Sequence, residues 1–72
     1  MEENNEVMEQ KVRYFFDKKT KVHIKKKNGY IHNGLILEVE KNLLILDDKF
    51  SGSMPIYFVE IFEIEKMEEG RG

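Results

Sequence analysis

Polar and apolar positions alternate with two different periods along the chain. Met8, Val12, Phe15 and Phe16 fall at helical spacings, with Val7 beside them to broaden the stripe. Acids come early (Glu2, Glu3, Glu6, Glu9) and bases late (Lys11, Arg13, Lys18, Lys19), an order that suits a helix dipole. The spacing predicts one amphipathic helix over about 5–17, with the polar residues before it frayed. From residue 20 the period drops to two: Val22 and Ile24 alternate with His23 and Lys25, as in a strand.

Asn28-Gly29 is a strong hairpin signal, because both residues tolerate positive φ. A two-residue turn there pairs Lys27 with Tyr30, Val22 with Leu35 and Ile24 with Asn33. It puts Ile31 and Leu35 on the face of Val22 and Ile24, and His32 with Lys25 on the other. Gly34 inside the second strand marks a bulge or sharp bend. Glu40-Lys41-Asn42 reads as a tight turn, Asn42–Phe50 as a third strand, and Ser51–Ser53 as a loop. Residues 54–58 form a fourth strand, placed at an edge or a strand start by Pro55. After a short connection, 61–66 form a fifth, with Phe62 and Ile64 opposite Glu63 and Glu65. Five short antiparallel strands in so few residues predict a small, strongly bent barrel rather than a sandwich. The expectation is thus a mainly β protein: one domain over 1–72, with a helix, a barrel over about 20–66 and a disordered tail over 68–72.

Size changes this picture. A chain of 72 residues buries only about 60% of its unfolded surface. With no cysteine to form a disulfide or a thiolate metal site, oligomerisation is the expected source of further burial. No secretory leader and no long apolar span is visible, so a soluble cytoplasmic protein without membrane contact is expected.

Charge adds an asymmetry. The net charge is −2, but residues 11–27 carry +7 and the remainder −9. Such a segment reads as a polyanion-binding face or, slightly favoured, as solubilising charge on a helix end and hairpin. Its candidate contacts are Lys11, Arg13, Lys18, Lys19 and Lys21 near the helix, and Lys25, Lys27 and Tyr30 on the hairpin. Tyr14 and Tyr57 are further aromatic candidates, with packing at the barrel rim favoured for all three tyrosines. His23 and His32 sit on one face of the hairpin without a third ligand and read as surface histidines rather than a metal site. No phosphate-binding glycine motif occurs, and Ser51 and Ser53 have no nearby histidine, so neither an enzyme, a cofactor nor a small-molecule substrate is expected. Asp47-Asp48 reads as a turn cap.

The order of elements resembles the Sm-like family of small ring-forming RNA-binding barrels over residues 7–66. Gly29 and Gly34 have the spacing of the two glycines in the family's first motif, and Ile36 falls where that motif carries Leu. Asn42-Leu43-Leu44-Ile45-Leu46 resembles its Asn-Leu-x-Leu ending, and "IYFVEIFEI" the apolar skeleton of the second motif. The resemblance implies a homo-oligomeric ring in which strand 54–58 of one copy pairs with strand 61–66 of the next. It also implies a uridine pocket between two loops. Glu40 stands at the pocket's Asp position and Asn42 at its Asn position, but the loop is shorter and carries no stacking residue between them. Val59-Glu60 replaces an Arg-Gly pair. Stacking and positive charge are both missing there, so RNA contact is expected through electrostatics, with Asn42 either reading a base or closing its turn. The alternative is an oligomeric protein-interaction scaffold of the same fold that has lost RNA binding.

Overall fold

The computed structural model describes residues 5–67. The expected tail 68–72 and the residues before Asn5 lie outside them. One helix, α1 (Asn5–Asp17), precedes five strands: β1 (Val22–Lys26), β2 (Ile31–Val39), β3 (Leu43–Asp48), β4 (Gly52–Tyr57) and β5 (Ile61–Lys66). A single 3₁₀ turn, Phe58–Glu60, joins β4 to β5. The fourth strand therefore starts earlier than its apolar run suggested, and Phe58 belongs to the turn.

All neighbouring strands are antiparallel, in the order β4-β3-β2-β1-β5. The sheet is strongly bent but not closed by hydrogen bonds: β4 and β5 are its two edges. Val22, Ile24, Ile36, Leu44, Leu46, Ile56, Phe58, Ile61 and Ile64 line its concave side and are buried. The helix covers this side with buried Val12, and half-buried Met8, Phe15 and Phe16 pack against the same cluster. Val7, by contrast, is 57% exposed and does not widen the stripe.

The helix ends in a paired closure. Lys19 N–H donates to Phe16 O and Thr20 N–H to Phe15 O, both at 3.1 Å. This pattern needs a left-handed residue after the helix, and Lys19 takes it at φ 53° where glycine is usual.

Two expectations about register are overturned, and the bulge offered for Gly34 lies elsewhere in β2. The β1–β2 hairpin closes with Gly29 N–H on Lys26 O and Lys26 N–H on Tyr30 O, so the loop holds three residues rather than two. Only Gly29 has positive φ, at 96°. Asn28 instead accepts the Tyr30 N–H on its side-chain oxygen at 3.0 Å. The one extra residue slips the register, pairing Val22 with Gly34, Ile24 with His32 and Lys25 with Ile31. A slip of one moves every β2 side chain to the other face. Ile31 is accordingly half exposed, and His32 joins the concave side.

The β2 irregularity lies between Ile36 and Glu38, not at Gly34. Gly34 instead admits the close approach of β3, because a β-carbon there would collide with the Asp47 backbone. The third revision concerns β5. Lys25 pairs with Glu63 but Lys26 with Ile61, leaving Phe62 as the extra residue. The bulge turns both Ile61 and Ile64 inward and leaves Phe62 63% exposed, so Phe62 and Ile64 do not share a face.

Candidate nucleic-acid interface

Three loops meet at one end of the sheet. Phe58 N–H donates to Asn42 O at 2.9 Å, tying the β2–β3 turn to the 3₁₀ turn. Lys27 N–H donates to Glu60 O at 2.9 Å, tying the β1–β2 hairpin to the same turn. Glu40, Asn42 and Val59 are exposed there, as is Tyr30 on the hairpin. The two loops that the sequence pairs as halves of one pocket are thus adjacent.

Their charge differs from expectation. Glu60 does not add to the charge of Glu40: its Oε1 lies 3.3 Å from Lys26 Nζ, and the Lys26 side chain is largely covered. That ion pair spans the hairpin and the 3₁₀ turn.

The basic residues separate into two groups. Lys18, Lys19 and Lys21 are exposed in the connection from α1 to β1, beside the start of β1. Lys18 Nζ lies 5.7 Å from the Tyr14 ring centre. Lys25 and Lys27 follow along β1 and into the hairpin, roughly 13 and 20 Å from Lys21 at the rise of a strand, with Tyr30 closing the same hairpin. Lys25 Nζ lies over the bulged Phe62 ring at 5.7 Å. Lys11 and Arg13 are exposed on the helix, and Arg13 Nε is bound to Glu9 Oε2 at 3.0 Å.

The histidines do not face each other. His23 pairs with Asn33 across the hairpin, with 2.7 Å between Nδ1 and Oδ1, on the convex side. His32 lies on the concave side and is only 15% exposed at its side chain, so it is not a surface histidine. Its Nδ1 is 3.3 Å from Asp48 Oδ1, while its Nε2 is buried without a hydrogen-bond partner.

Asp48 caps its turn, its Oδ2 accepting the N–H groups of Ser51 at 2.9 Å and Phe50 at 3.0 Å. The Ser51 N–H above all, then Phe50 and His32, hold its carboxyl below the ordinary range, against the opposing effect of burial. The His32–Asp48 couple is absent from the sequence reading. Its signal would have been the Asp-x-x-Ser spacing combined with the correct hairpin register. No group of three His, Cys, Asp or Glu side chains is placed to hold a metal among the described residues. No described helix is long and apolar enough to cross a membrane.

A single helix on a bent five-stranded antiparallel sheet, in this strand order, is the Sm-like fold. The crystal structure of the pleiotropic translational regulator Hfq, an Sm-like protein, matches with a TM-score of 0.70 at 22% sequence identity. The match covers 81% of this chain and 95% of that one. No protein-family model matches the sequence, and no curated protein matches it.

Proposed function

We propose that the chain is a non-catalytic Sm-like module that binds RNA mainly through charge, as a homo-oligomeric ring. In this reading β4 of one copy pairs with β5 of the next, which covers the two edges that the sheet leaves open. The observation that carries RNA binding is the cationic connection at the helix end, where Lys18, Lys19 and Lys21 are exposed within four residues. The fold likeness to Hfq supports the reading. Lys25, Lys27 and Tyr30 form a second contact, with Lys11 and Arg13 extending the first. Asn42 is the one polar side chain of the β2–β3 turn suited to meet a base.

Binding of an unstructured RNA measured across salt concentration tests this. Log affinity should fall linearly with log salt, by roughly 0.7 per phosphate contact. Combined K18E, K19E and K21E substitution should remove most of it. Negligible binding at low salt would end the proposal.

A scaffold that has lost RNA binding is favoured by one observation. Val59, at the pocket position of a cation, is 48% exposed and apolar. Protein partners that survive nuclease treatment and ignore reversal of Lys18, Lys19 and Lys21 would support that second reading.

A further inference from the structure

The phase of the β3–β4 ladder fixes what the β4 edge can offer. In an antiparallel pair, directly opposed residues alternate between exchanging both backbone bonds and exchanging none. Phe58 N–H on Asn42 O sets that phase. Leu44 with Ile56 and Leu46 with Met54 are then the bonded pairs, while Leu43 with Tyr57, Ile45 with Pro55 and Asp47 with Ser53 are not. The backbones of Ser53, Pro55 and Tyr57 therefore face the free edge. All three present a carbonyl, but Pro55 has no N–H.

The same reasoning applies to β5. Met67 N–H on Lys21 O sets its phase, making His23 with Glu65 and Lys25 with Glu63 the bonded pairs. Ile64 and Lys66 then face outward, two residues apart. Below them the Phe62 bulge breaks the alternation.

We infer that Pro55 leaves the copy-to-copy edge one hydrogen bond short, so that the assembly exchanges with free subunits. The inference rests on the ring reading above. Any antiparallel register that engages both Ile64 and Lys66 of a second copy uses two neighbouring outward positions of β4. Both such choices, 53 with 55 and 55 with 57, include Pro55. The Ile64 or Lys66 carbonyl opposite Pro55 has no donor, whichever register forms. A second copy of this chain is thus a partner that fits the edge incompletely, and residue 55 sets how tightly it is held.

Sedimentation velocity over a concentration series, on the wild type and on P55V and P55T, tests this. Both variants restore the missing N–H without touching the β3 ladder. They should form the wild-type assembly with half-dissociation at about tenfold lower concentration per interface. Thermal unfolding of the dissociated chain should move little. Variants that assemble but dissociate at the wild-type concentration or above would overturn the role of Pro55 and leave the ring standing. A mass of 8.6 kDa for all three proteins at every concentration would instead sink the ring reading, and this inference with it.

Discussion

Gly34 and Asp47 are in backbone contact between β2 and β3: a methyl group on Gly34 would stand 2.9 Å from the Asp47 carbonyl carbon and closer still to its oxygen. The obstacle is backbone, which cannot rotate aside. Gly34→Ala should therefore destabilise the chain by about 3 kcal/mol, at the upper end for overpacking. Urea unfolding of the variant checks this, and a change within error would mean that the strands separate freely at this point.

Lys19 holds a left-handed conformation that L side chains adopt reluctantly. Lys19→Gly should stabilise the chain by about 1 kcal/mol, while weakening RNA binding through the lost charge. Paired measurements of thermal stability and RNA affinity should thus move in opposite directions. That split separates the role of Lys19 in binding from its role in the fold.

Phe58 is 2% exposed and joins the 3₁₀ turn to the concave core. Phe58→Ala should cost about 4 kcal/mol, a large share of the stability of a domain this small. Chemical denaturation would show the midpoint collapsing. A loss under 1 kcal/mol would argue against the packing described.

Asp48 titrates below its ordinary value in the folded chain. A depressed folded pKa gives stability that is complete above the unfolded value near 3.9 and disappears as pH falls through the folded value. Asp48→Asn should therefore lower the melting temperature at pH 7, and the difference from the wild type should shrink as pH drops below about 4. Melting curves from pH 7 to pH 2 check the sign. A difference that grows in acid would contradict the turn-capping role of the carboxylate.

Most of the fold was legible from periodicity, because the helix stripe and the strand runs are each decided by local spacing. The α1 limits needed nothing further, whereas the pairing of β5 with β1 is a long-range contact that local spacing does not carry. The hairpin register was not legible from Asn28-Gly29, because that dipeptide serves both a two-residue and a three-residue loop. What decides between them is the Asn28 side chain bonding Tyr30 N–H, a detail of geometry.

The bulge at Phe62 escaped for a related reason. An apolar residue in an alternating run reads as core until the partner strand shows the extra position. The basic residues cluster in sequence, and β1 spaces Lys25 and Lys27 roughly 13 and 20 Å from Lys21. The His32–Asp48 couple joins residues sixteen apart on the adjacent strands β2 and β3, and depends on a register between them that the sequence did not specify.

Light scattering during size-exclusion chromatography tests most directly whether the open sheet is completed by further copies of itself. A single species whose mass is a whole multiple, three or greater, of 8.6 kDa is the predicted result at high concentration. A strictly monomeric 8.6 kDa chain at every concentration would contradict the account.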